Sequence, residues 1–254
     1  MADCKNCSAE LSGRFCVSCG QKANTQRISW HWLVHEVLGS VLVVDRGLLF
    51  TLKELFTRPG RAIREFLEGK RQAHFKPLGI LVLTATVYSL LSRWIKPDLS
   101  PIMDAPAQVA MMEHLDRWMS NYYALMELAL IPLFAFCSWV LLRKYGHNLV
   151  EHMVIQSYLA AQRITLSIVF LPFQLFGFQA AILVSTVLTT GYMAGYVVTL
   201  VQLYEGRPPV RVLLRALASL VLSFLFLVIL AVAGVMVLVH FGLLPSALTP
   251  IKTG

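Results

Sequence analysis

Residues 164–204 read ITLSIVFLPFQLFGFQAAILVSTVLTTGYMAGYVVTLVQLY, forty-one positions without a single Asp, Glu, Lys or Arg. A hydrocarbon core about 30 Å thick is crossed by ~20 apolar residues in a helix, so this block is too long for one crossing. Pro172, Phe173, Gly177 and Gln179 interrupt it in its first third. It reads as the end of one membrane helix, a tight turn and a complete second helix. A chain built around such a block is an all-α integral membrane protein.

Composition agrees. Hydrophobic residues make up 57% of the 254 positions and charged residues 14%, against roughly 25% charged in soluble domains. The formal net charge is +8, and twelve of the 22 Lys and Arg lie at or before Lys76, with seven of the 14 acids. Basic charge gathered beside membrane helices points to cytoplasmic placement near anionic lipid rather than to nucleic acid. The first thirty positions hold no apolar stretch of the kind a cleaved signal needs, so the first span is expected to direct insertion.

Four of the five cysteines lie in the first nineteen residues, as Cys4-Lys5-Asn6-Cys7 and Cys16-Val17-Ser18-Cys19. Each CxxC turn lets two thiolates reach one ion, and four thiolates close a tetrahedral zinc site without an open position. Gly20 suits the turn after the second pair, and Phe15 and Leu11 supply a small apolar cap. A redox dithiol is the other reading, but a duplicated CxxC in a reducing compartment favours metal. The expectation is a zinc ribbon over residues 1–24 with Cys4, Cys7, Cys16 and Cys19 as ligands and Zn2+ as a structural cofactor. Cys137 sits alone in an apolar run.

Residues 25–76 read as cytoplasmic, interfacial amphipathic helices. Ser29 offers an N-cap before Trp30, His31 and Trp32, and Trp30, Leu33, Val34, Val37, Leu38, Val41, Leu42, Leu48, Leu52 and Leu55 form one apolar stripe. Only eight uncharged residues separate Glu36 from Asp45, too few to span, so helices lying on the membrane are preferred to a re-entrant hairpin. Pro59-Gly60 breaks the stripe. Residues 61–75 then read as a basic helix, with Arg61, Arg64, Lys70, Arg71 and Lys76 facing anionic lipid headgroups or a cytoplasmic protein partner, or simply enforcing topology. His31, His35 and His74 read as interfacial residues rather than a second metal site.

Asp45, Thr51-Leu52, Leu55, Arg58-Pro59-Gly60, Gly69-Lys70-Arg71 and Lys76-Pro77 together resemble the pattern of an uncharacterised bacterial membrane family, domain of unknown function 3667. Glu151-His152 is similar to an acidic-His pair of that family. The resemblance covers most of the chain, with its best motifs between residues 45 and 77. It implies a multi-pass protein of the bacterial inner membrane, often headed by a zinc ribbon, and no chemistry.

Residues 77–254 are expected to form a domain of about five transmembrane helices, near 77–95, 122–142, 152–176, 179–204 and 216–239. The loop 96–121, with Pro97, Pro101, Pro106 and an amphipathic segment near 109–119, leans acidic through Asp98, Asp104, Glu113 and Asp116. Arg143-Lys144 and Arg207, Arg211 and Arg215 mark the opposite side. Positive charge then places the N-terminus in the cytoplasm and the C-terminus outside.

Inside the spans stand Glu127 and Arg163. Counted from the expected span ends, Arg163 is near mid-bilayer and Glu127 near the outer surface, so Arg163 would either meet an anion or pair with Glu127, and the mismatch in depth stands against the pair. A charge at such depth costs on the order of 3 kcal/mol or more, and turns toward protein or water. His152, Gln156 and Arg163 share a helix face, and with Glu151 and Glu127 they outline a polar path; a satisfied polar stripe between helices is the plainer alternative. No phosphate loop, HExxH or GxSxG is present. The expected function is a non-enzymatic scaffold or anchor whose ribbon and basic helices dock a partner or anionic lipid. A small transporter or channel around Arg163 is the runner-up, and a membrane enzyme acting on lipid a third reading.

Overall fold

A computed structural model describes residues 3–39, 47–95 and 106–240. Among these residues eight helices follow one another: α1 (Trp30–Gly39), α2 (Gly47–Thr57), α3 (Pro59–Glu68), α4 (Pro77–Ser92), α5 (Pro106–Leu142), α6 (Leu149–Phe170), α7 (Phe178–Leu203) and α8 (Pro209–His240). Short 3-10 turns at Arg143–Tyr145 and Leu171–Phe176 join α5 to α6 and α6 to α7. Among the described residues there is no strand, only two isolated bridges in the N-terminal module. The all-α architecture stands as expected. Val41, Leu42, Asp45, Lys96, Pro97, Asp98, Pro101 and Asp104, and the tail from residue 241, lie outside the described residues.

Among the described residues, four helical stretches are long and apolar enough to cross a membrane: Leu115–Tyr145, Leu149–Phe176, Phe178–Leu203 and Pro209–Gly234. The first of the five expected spans is shorter, sixteen residues in α4. Its start is also deeper, because the Tyr158 hydroxyl of α6 donates to the Phe75 carbonyl at 2.7 Å. Tyr158 lies nine residues (158 − 149 = 9), about 14 Å, beyond the first residue of α6. The helix ends are therefore not level. The first three turns of α6 stand in a collar made by the segment 25–28, α2 and α3, and every position from 150 to 161 is buried.

Local signals explain the boundaries. Asn148 caps α6 in a full capping box: its side chain accepts from the Glu151 N–H at 2.8 Å, while the Glu151 carboxylate accepts from the Asn148 N–H at 2.7 Å. Pro59, Pro77 and Pro209 open α3, α4 and α8, where a missing N–H costs nothing. Because Pro209 starts α8, Arg211 and Arg215 ride on its first turns, seven residues before the expected span. Pro106 likewise opens α5, and no breaker follows until Pro132. The expected amphipathic segment at 109–119 and the span from 122 are thus one helix, not loop and span. The expected basic helix of 61–75 is also shorter: Gly69, at φ +118°, accepts a left-handed cap and donates to the Glu65 and Phe66 carbonyls at 3.2 Å.

The collar grips the bundle through α3. Gly60 meets the end of α7 so closely that a Cβ would lie 2.5 Å from the Leu203 nitrogen and the Thr199 carbonyl oxygen. Its N–H donates to Gln202 Oε1 at 3.1 Å. Arg64 then caps α7, donating to the Leu203 carbonyl from Nε at 3.0 Å and Nη2 at 2.7 Å, and to the Gln202 carbonyl. A cation on the last carbonyls of a helix satisfies orphan acceptors and the negative end of its dipole together.

Candidate functional site

The N-terminal module brings its four cysteines together. Their Sγ atoms all lie within 4.8 Å of one another, with Cys4–Cys19 at 3.6 Å and Cys7–Cys16 at 3.5 Å. Four thiolates about 2.3 Å from one tetrahedral ion sit about 3.8 Å apart, so the donor set fits a metal. The two halves repeat one turn: Ser8 N–H donates to the Cys4 carbonyl at 2.8 Å, and Gly20 N–H to the Cys16 carbonyl at 2.9 Å. Ser8 and Gly20 occupy the equivalent left-handed position, at φ +60° and +74°. The Cys19 backbone N–H draws the Cys16 thiol down to about 6, while Cys7, against the lowering by the Ala9 N–H, is pushed up to about 11 by the hydrogen bond to Cys16, so the two share one proton.

This module is seated on the turn after α3. Gln21 Oε1 accepts from the Arg71 and Gln72 N–H groups at 2.9 and 3.2 Å, and Asn6 Oδ1 from the Ala73 N–H at 3.3 Å. Arg71 donates to the Gln26 carbonyl at 2.8 Å and stacks on Trp32, 5.4 Å from its centroid. Just beyond, Arg27 clamps Glu151 with Nε at 2.8 Å and Nη2 at 2.7 Å, and Asn148 donates to the Ile28 carbonyl. Of the residues expected to face lipid or a partner, Arg64 and Arg71 hold the chain's own carbonyls. Arg61 stands 3.8 Å from Glu205, Lys70 stands 3.6 Å from Glu65, and Lys76 precedes α4 at its N-cap. His74, read as interfacial, is instead buried against Phe50 and Phe66. The side chain of His35 lies outside the description.

The expected polar path separates into three. Glu151 belongs to the Arg27 clamp. His152 and Gln156 join a buried layer: His152 Nδ1 is 3.0 Å from Ser138 Oγ, to which Gln156 Nε2 donates at 3.0 Å. Gln156 also donates to the Tyr196 hydroxyl at 3.3 Å, which lies 2.9 Å from Ser219 Oγ. On the other side of His152, the Tyr204 hydroxyl is 3.5 Å from Nε2 and 3.2 Å from Nδ1 of His147. Burial holds the His147 imidazole below its ordinary value.

Arg163 and Glu127 form the third part. Arg163 Nη2 donates to both Glu127 oxygens, at 2.7 and 2.6 Å. The depth mismatch expected from the sequence disappears. Glu127 lies fifteen residues before the end of α5 (142 − 127 = 15) and Arg163 fourteen after the start of α6 (163 − 149 = 14), about 22 and 21 Å along antiparallel helices. The mismatch came from starting the second span at residue 122, when the helix continues outward for sixteen more. Both residues line a cavity of about 390 Å³ between α5, α6, α7 and α8, with Gln156, Tyr192, Tyr196 and Phe224 in its wall. Tyr192, its centroid 5.6 Å from the guanidinium, was not singled out in the sequence, where it was one aromatic in an apolar run.

Comparison with known proteins bears on the collar and not on the cavity. Residues 45–89 match the family model described as protein of unknown function, DUF3667. That is the stretch of α2, α3 and all but the last three residues of α4, and it agrees with the resemblance carried by residues 45–77. No curated protein and no solved structure matches the chain. Within the matched stretch, Gly60 and Arg64 seat α3 on α7, and the Arg71, Gln72 and Ala73 N–H groups seat the cysteine module on the turn after α3.

Proposed function

We propose that this is a non-catalytic, transporter-type membrane protein that takes a small ligand bearing hydrogen-bond-accepting oxygens into the cavity around Arg163. The observation that carries the reading is the Arg163–Glu127 pair standing in the wall of an intramembrane cavity. A buried ion pair is seldom more stable than apolar residues of the same volume, so stability alone does not account for it. Arg163 has five N–H donors, and among the described residues only Nη2 is hydrogen-bonded. The test is ligand-dependent thermal stability of the full chain in detergent, with inorganic phosphate and with short- and long-chain carboxylates. At least one should raise Tm, and Arg163→Lys, which keeps the charge but not the planar donor set, should weaken that ligand tenfold or more. No shift with any of them, or an equal shift in the Lys variant, refutes the reading.

The second reading is the scaffold or anchor. What favours it is the outer face of the cysteine module, where Phe15 is 54% and Val17 84% exposed, an apolar surface suited to a protein partner. In both readings the ion is zinc, because a closed set of four thiolates with no open position suits it best. The basic collar is placed in the cytoplasm, beside anionic lipid, with the C-terminus outside, in a bacterial inner membrane.

A further inference from the structure

The cavity at Arg163 is closed at one end and open at the flank, and this limits what can reach it. Toward the cysteine module, Ser138, His152, Gln156, Tyr196 and Ser219 form a hydrogen-bonded layer, each at most 3% exposed. A water-soluble solute cannot pass that layer without breaking it. On the flank, Met193 of α7 and Phe224 of α8 line the cavity and are 42% and 65% exposed. Both belong to helices whose exposed faces carry no charge over residues 178–203 and 216–234, with only Gln, Ser and Thr among the apolar side chains, so the surface that surrounds the opening is one that lipid covers. Inside, the Arg163 side chain is 29% exposed. Its Nη2 serves Glu127, while its Nε and Nη1 hydrogens have no hydrogen-bond partner among the described residues. Arg163 also lies only five residues (163 − 158 = 5), about 8 Å, beyond the level at which α4 begins, and directly follows Gln162, which donates to the Leu55 carbonyl of the collar.

We propose that the ligand is a membrane amphiphile with an anionic, oxygen-rich head, entering sideways between α7 and α8. The head, a carboxylate or a phosphate, accepts hydrogen bonds from the donors of Arg163 that Glu127 leaves open. The chain leaves past Met193 and Phe224 into the bilayer. This rests on the cavity being a ligand site and adds the class of ligand and its route. Charge-assisted hydrogen bonds from an Arg to a carboxylate or phosphate are strong where water is excluded, and an acyl chain left in lipid loses no apolar contact.

The test counts lipid retained by the full chain in native mass spectrometry after equal additions of oleate, phosphatidate and the neutral monoolein. At least one of the two anionic lipids should be retained tenfold over monoolein, and the one that dominates shows whether the head is a carboxylate or a phosphate. Met193→Trp and Thr189→Trp, one turn apart on the exposed rim of α7 and clear of the Arg163–Glu127 pair, should each reduce that retention at least fivefold at wild-type Tm. Equal retention of the three lipids overturns the proposal, as does undiminished retention in whichever rim variant keeps its Tm. If phosphate ion or a short-chain carboxylate still shifts Tm through Arg163 in that case, the cavity remains a ligand site and only the amphiphile is wrong. If neither effect is found, both readings fall.

Discussion

At Gly60 the backbones of two helices approach so closely that one methyl group has no room. Gly60→Ala should lower stability by about 1–3 kcal/mol, the range for overpacking a tight contact, seen as a lower Tm of the detergent-solubilised chain. An unchanged Tm would mean that α3 does not sit on α7. Nothing local marks this contact, since Gln202, which accepts the Gly60 N–H, is 142 positions away, and beside Pro59 the glycine reads only as a breaker. His74 makes a second prediction. Burial pushes its imidazole below the ordinary 6.5, with Glu65 and Glu54 pulling upward and Arg58 and Lys70 downward. The folded state thus holds His74 neutral; its stabilising contribution is complete above pH 6.5 and is lost as pH falls through 6.5 toward the lower folded value. Tm should drop between pH 7 and pH 5 in the wild type and drop less in His74→Phe. Parallel curves would show that His74 is not desolvated.

The cysteine module is the element most legible in the sequence, because its ligands lie within sixteen positions and the geometry of each CxxC is local. Cys4→Ser with Cys16→Ser should reduce bound metal from about one ion per chain to none by elemental analysis, while the chain still inserts. Metal content equal to wild type would remove the assignment. The long helices were legible as apolar runs, but their ends were not. Charge and polarity in 106–121 and 209–215 suggest loops, yet Pro106 and Pro209 start helices there, with Arg117 and Arg211 exposed and Arg215 half-buried over the Tyr145 ring. In the basic segment after Pro59, Gly69 ends the helix early, and beyond it Arg71 donates to carbonyls of this chain while Lys70 pairs with Glu65. Charge patterning identified a basic collar but could not tell a cation facing lipid from one capping a helix.

On the scale of the whole molecule, the collar and the bundle meet around the first turns of α6, and the cavity opens just beyond them. Arg163 and Glu127 were visible as charges in apolar runs, and their pairing was considered from sequence. The depth argument against it failed because it depended on a helix end sixteen residues from where α5 begins. Tyr192, Tyr196 and Phe224 were invisible as cavity residues, since one aromatic in an apolar helix looks like another until its neighbours are known. The central claim is that the Arg163–Glu127 pair is kept for a ligand and not for the fold. Replacing both charges together, as Arg163→Met with Glu127→Leu, avoids leaving either one buried and unpaired. Thermal melting of this double variant, with and without the ligand that stabilises the wild type, tests the claim most directly. The expected result is a Tm equal to or above that of the wild type and no ligand-induced shift; a Tm lowered by several degrees, or a ligand shift that survives, would contradict it.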